Sequence, residues 1–195
     1  MALMTALGTL TAGCSGADNE GTGSANEAQE NGDAAPDALL QEGLDAHVAG
    51  DLDTAEARYL EVVELDPDNA LGWYNLGLVE QTTNRPVEAE EHYRLALNID
   101  PTFTSALFNL AILRTEAQAF DEAVVLYAQV TTLDEANSGA HLNLGLLLYS
   151  LGRGTQAARQ LARAVELDPG LIGRATAMQP DDPQSPDSTA QADGD

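Results

Sequence analysis

Lysine is absent from this chain of 195 residues: its eight basic residues are all arginines, set against 32 acidic ones, for a formal net charge of -24. A surface so negative repels phosphate backbones, which argues against nucleic acid as a partner. Cysteine is nearly absent too. The single thiol, Cys14, stands close to the start of the chain, so none is left for chemistry farther along. Long hydrophobic runs are missing as well. The apolar stretch 1–14 is shorter than the roughly 20 residues that a membrane-spanning helix needs. The three histidines, His47, His92 and His141, sit at unrelated places in the pattern described below, so no two share a helix face with a carboxylate at ligand spacing. After Asp66-Pro67-Asp68, Ala70 and Gly77 stand where a calcium loop would need further oxygen ligands. A phosphate-binding glycine loop is absent, Gly21-Thr22-Gly23 lying in a stretch with almost nothing to bury. No catalytic constellation remains. The expectation is a protein that is not an enzyme and that takes no cofactor and no metal.

What the chain does have is a period of 34 residues. Asp66-Pro67, Asp100-Pro101, Asp134-Glu135 and Asp168-Pro169 follow one another at that spacing. In the same register come the small residues Gly43, Gly77, Ala111 and Gly145, the alanines Ala55, Ala89, Ala123 and Ala157, and the large residues Tyr59, Tyr93, Tyr127 and Leu161. Small residues at fixed places let two helices approach closely, and large ones fill the space between units. The most complete unit has Trp73, Leu76 and Gly77 on a first helical stretch, then Ala89, Tyr93 and Ala96 on a second. It resembles the tetratricopeptide repeat (TPR), a helix-turn-helix unit of this length. The resemblance implies an all-α fold: a right-handed α-solenoid of four repeats, 36–69, 70–103, 104–137 and 138–170, with first helices lining the concave side. Breakers mark the turns inside the units at Gly50-Asp51, Asn84-Arg85-Pro86, Gln118-Ala119 and Gly152-Arg153-Gly154. Leu171, Ala175 and Met178, at i, i+4 and i+7, predict a short capping helix over 171–178.

The ends read differently. The stretch 1–14 ends in small residues before Cys14, and Leu10-Thr11-Ala12-Gly13-Cys14 resembles a bacterial lipobox. That resemblance implies a signal peptide cut before Cys14 and a lipid attached to its sulfur. The protein would then be anchored to the cell membrane and face the periplasm or the exterior. Residues 15–35 are rich in Gly, Ser, Ala, Asn and acid, the composition of a disordered tether. Residues 179–195, acidic and proline-bearing, read as a disordered tail.

With no chemistry to place, the candidate site is a surface. Gln41, Asn75, Asn109 and Asn143 recur at one azimuth of the first helices, and three successive asparagines form a ladder of amides suited to the backbone of an extended peptide. This is similar to the asparagine ladder in the TPR superhelix of O-linked GlcNAc transferase. Tyr74, Leu78, Phe108, Ile112, Leu142, Leu146 and Tyr149 are expected on the same concave face, with His47, Gln81, Thr115 and Glu116 on its outer turns. TPRs that clamp acidic chaperone tails use lysine and arginine there, and this face has neither. An apolar helix or extended segment of a protein partner fits better. The expected function is a membrane-tethered interaction scaffold, similar to the small TPR lipoproteins of secretion, pilus or cell-wall complexes. The alternative is a self-associating solenoid, a homo-oligomer without a separate peptide ligand.

Overall fold

The computed structural model describes residues 35–176. Eight helices form four antiparallel pairs: α1 (Pro36–Ala49) with α2 (Leu52–Leu65), α3 (Ala70–Thr82) with α4 (Pro86–Ile99), α5 (Thr104–Glu116) with α6 (Phe120–Leu133), and α7 (Ser138–Ser150) with α8 (Gly154–Leu167). A 3₁₀ turn, Pro169–Leu171, leads into α9 (Ile172–Thr176). Each second helix also packs on the next first helix, so α2 meets α3, α4 meets α5 and α6 meets α7. This is the TPR solenoid, and the described residues contain no strand. The leader with Cys14, most of the 15–35 segment, Met178 and the 179–195 tail lie outside the described residues.

The period has a steric cause. A Cβ placed on Gly43 would lie 2.5 Å from the Tyr59 ring, one on Gly77 would lie 2.6 Å from Tyr93, and one on Gly145 would lie 2.7 Å from Leu161. Tyr59 and Tyr93 are fully buried, so neither ring can yield. A side chain buried to this degree stabilises by about 1.5–3 kcal/mol, and the missing Cβ is what lets it in. Between units the approach is as close: a Cβ on Gly72 of α3 would lie 2.9 Å from both Val62 and Val63 of α2.

The turns follow from local chemistry. Gly50, Asn84, Gln118 and Gly152 all take positive φ at the four turns inside the units. The aspartates that follow the second helices bend the chain through their own side chains: Asp100 Oδ1 accepts from Thr102 N, Asp134 Oδ1 from Ala136 N, and Asp168 Oδ1 from Gly170 N. Asn69 and Asn137 cap α3 and α7 by accepting from Gly72 N and Ala140 N, each at 2.9 Å. Phe103 occupies the same position before α5, makes no such bond, and instead packs on Tyr74 with ring centroids 4.8 Å apart.

Candidate functional site

Three of the predicted surface residues meet in one recess. Ile112 of α5 and Asn143 and Leu146 of α7 line a cleft of about 430 Å³ between the first helices of the third and fourth units. Thr115, Glu116 and Ser150 form its outer turns, and Tyr127 and Phe120 of α6 close it from within. Phe120 was not anticipated, although it is the one aromatic at its repeat position, where the other units have Leu52, Pro86 and Gly154. Tyr74, Leu78, Phe108 and Tyr149 are half-buried and pack against the same apolar core as Ile112.

Two predicted residues are not part of that surface. Leu142 is only 1% exposed: Leu161 and Ala164 of α8 and Ala175 of α9 enclose it. The array ends here, and the cap takes the contact that a fifth unit would have made. Asn75 is 3% exposed, and its Nδ2 has no hydrogen-bond partner.

The asparagines turn their amides toward tyrosines of the preceding unit. Asn109 Nδ2 donates to Tyr74 Oη at 3.3 Å, and Asn143 Nδ2 reaches Tyr127 Oη at 3.5 Å. Both residues remain half-buried. Gln41, which breaks the ladder, bonds instead to Asp45 on its own helix at 2.8 Å. Burial pushes the Tyr74 and Tyr127 hydroxyls up, opposed by their hydrogen bonds to Ser105 and Asn109 and to Thr115 and Asn143. Tyr59 is pushed up to about 12 by burial. These tyrosines are neutral at physiological pH, so the surface offers donors, acceptors and rings but no tyrosinate charge. Glu116 is the one acidic residue among those that line the recess, and no basic residue lines it.

The polar residues elsewhere are occupied with packing. One position of the first helices holds Ala46, Glu80, Arg114 and Leu148 in turn. Buried Glu80 lies 2.6 Å from His92 Nδ1, and His92 stacks on Trp73 with centroids 5.3 Å apart. Desolvation pushes the Glu80 carboxyl up, against the His92 hydrogen bond and the charges of His92 and Arg85. Arg85 forms a two-pronged pair with Glu56 at 2.9 and 2.6 Å. Arg114 sits between Glu90 and Glu122, which both also bind Arg94. His141 is buried against Gln160, 2.6 Å from its Nδ1. Among the described residues, no group of three or more His, Cys, Asp or Glu is placed to hold a metal ion. No described helix is long and apolar enough to cross a membrane.

The fold recurs among solved structures. A crystal structure of MamA protein matches at 22% identity over 73% of this chain and 81% of that one, with a TM-score of 0.65. YrrB, described as a TPR protein with an unusual peptide-binding site, matches at 20% identity over 75% of this chain and 88% of its own, also with a TM-score of 0.65. The first TPR of Spaghetti (RPAP3), bound to the HSP90 peptide SRMEEVD, matches at 23% identity over 60% and 93% of the two chains, with a TM-score of 0.58. These likenesses are of fold. No curated protein matches the chain. The repeat units themselves match a described family over residues 39–170, and the chain belongs to that family, the cilia and flagella-associated protein 70 middle TPR-like domain.

Proposed function

We propose that this protein is a non-catalytic interaction module that holds a peptide or helix of a partner protein along its first-helix face. The observation that carries the reading is the recess in which Ile112, Asn143 and Leu146 converge, apolar at its floor and edged by hydroxyls and an amide. An apolar side chain of the partner would enter the cleft, while the Asn109 and Asn143 amides would bond to its backbone. The YrrB and RPAP3 structures, whose descriptions name a peptide-binding site and a bound peptide, support the reading by showing that this fold takes such ligands.

The module acts at a membrane in this reading. Lipid on Cys14 anchors it to the cell membrane, and the acidic segment that follows holds the repeats off the surface, toward the periplasm or exterior. There it serves the assembly of an envelope complex. The resemblance of 10–14 to a lipobox supports this part. Crosslinked affinity capture from the source cells, comparing the native chain with an Asn143→Ala, Leu146→Asp variant, tests the recess: a partner lost only from the variant is expected, and an identical capture set would contradict it. Cys14→Ser tests the tether separately, because a chain that stays in the membrane fraction without its thiol is not held there by lipid.

A further inference from the structure

The outward face of α6 departs from those of the other second helices. Its three outermost repeat positions hold Val125, Gln129 and Thr132, all exposed and uncharged. The same positions hold Ala57, Glu61 and Glu64 on α2, Glu91, Leu95 and Asn98 on α4, and Arg159, Arg163 and Glu166 on α8, so every other unit carries at least one charge there. Val125 is 57% exposed and Leu133 47%. With Ala128, at i, i+3 and i+8, they share one side of the helix with the uncharged Gln129 and Thr132. Beside the stripe, Val124 and the α4–α5 turn residues Pro101 and Thr102 complete a recess of about 530 Å³. A chain with 32 acidic residues that leaves this strip apolar and uncharged presents a surface suited to another protein.

The surroundings of the strip specify the occupant. Asp121 lies one turn before Val125 on the same side of α6, Asp134 and Glu135 follow Leu133 directly, and Asp100 precedes Pro101. Arg94 and Arg114, on the adjacent helices α4 and α5, are bound to Glu90 and Glu122 and do not offset these carboxylates. A largely apolar face along a 14-residue helix, acidic at both ends, is complementary to a second amphipathic helix with basic flanks. A second copy packed face to face on α6 is a poor match, since it would bring the same carboxylates against their equivalents.

We propose that the outer face of α6, together with the α4–α5 turn, is a second docking site that takes an amphipathic helix of a different protein, apolar along one stripe and basic at its flanks. The site shares no lining residue with the recess described above and does not depend on it.

The test uses the full chain and two synthetic labelled helices of the length of α6, both with leucines at helical spacing and a photoreactive residue in the stripe, one with lysine flanks and one with glutamate flanks. Fluorescence anisotropy is expected to show saturable binding of the lysine peptide, weakened by about tenfold or more in a Val125→Glu, Leu133→Glu variant and for the glutamate peptide. A Gln129→Arg variant, which changes only an exposed uncharged side chain, is expected to weaken binding in the same direction and guards against a folding defect in the double variant. Crosslinks should fall on α6. Equal binding by all variants, equal binding of both peptides, no saturable binding, or crosslinks on α5 and α7 would each overturn the proposal. So would a dimer in sedimentation that Val125→Glu, Leu133→Glu dissolves, because the occupant would then be a second copy.

Discussion

Along the first helices, one azimuth carries Gln41, Asn75, Asn109 and Asn143. Along the second helices, the outward positions change from acidic on α2 to mixed on α4, uncharged on α6 and largely basic on α8. The asparagines are held by their place between units, where Asn109 and Asn143 meet tyrosines of the unit before. The outward positions of the second helices are exposed or half-exposed and are free to differ. Uniformity along this solenoid therefore marks packing, and difference marks a surface available for recognition. The position of Ala46, Glu80, Arg114 and Leu148, buried or half-buried, qualifies the rule: it varies although it faces inward, because Glu80 found a hydrogen-bond partner in His92 and Arg114 an ion pair with Glu90.

Substitutions at the points of closest helix approach should separate these classes most sharply. Gly77→Val places carbon where Tyr93 cannot move and is expected to destabilise the fold by about 3 kcal/mol or more. Ala111→Gly, at the matching place in the third unit, should cost only about 0.5–1 kcal/mol. Urea unfolding followed by circular dichroism compares them, and similar losses would remove the steric explanation of the period.

The charged pairs come next. Arg114→Ala leaves Glu90 and Glu122 facing each other, with Arg94 alone to compensate, and is expected to cost about 3 kcal/mol. Glu80→Ala should cost less, about 1–2 kcal/mol, because it removes a hydrogen bond to His92 without leaving two carboxylates facing each other. Thermal melts of the two variants rank the pairs.

The Glu80 pair also has a pH signature. Burial raises its carboxyl above the model-compound value of 4.5, so the native state holds the proton more tightly than the unfolded chain. The stability this contributes is fully present below 4.5 and is lost as pH rises through the native value. Glu80→Gln keeps the hydrogen-bonding shape without the charge. Its melting temperature relative to the native chain should rise as pH is raised from 4.5, and a constant difference would show that Glu80 is not destabilised by burial.

The asparagines should give the smallest effects. Asn109→Ala takes a donor from Tyr74 and is expected to cost about 1 kcal/mol. Asn75→Ala removes an amide nitrogen that has no partner and should cost less. If Asn75→Ala proved the more damaging, the ladder would not be held by its tyrosine contacts.

Much of the fold was legible in the sequence because the period is steric. Gly43 with Tyr59 and Gly77 with Tyr93 announce a close helix pair, and the breakers that mark the turns are the residues found at positive φ. The site was less legible. Helical spacing places Leu142 and Leu146 on one azimuth, but whether a residue is covered depends on what packs there, and α9 covers Leu142 while leaving Leu146 at the recess. Asn75, Asn109 and Asn143 are identical in pattern, yet Asn75 is enclosed and the others are half-buried, because the units around them differ. The α6 strip left a readable signal, the loss of charge at Val125, Gln129 and Thr132, which emerges only when the units are compared position by position.

The central claim is that the first-helix recess is where a partner segment lies, and it is tested most directly by placing a photoreactive amino acid at Ile112 in one variant and at Asp53, on the outward side of α2, in another. Irradiation in the source cells should join a specific partner to the chain through Ile112 and not through Asp53. The same crosslinks from both positions, or none from Ile112, would contradict the account.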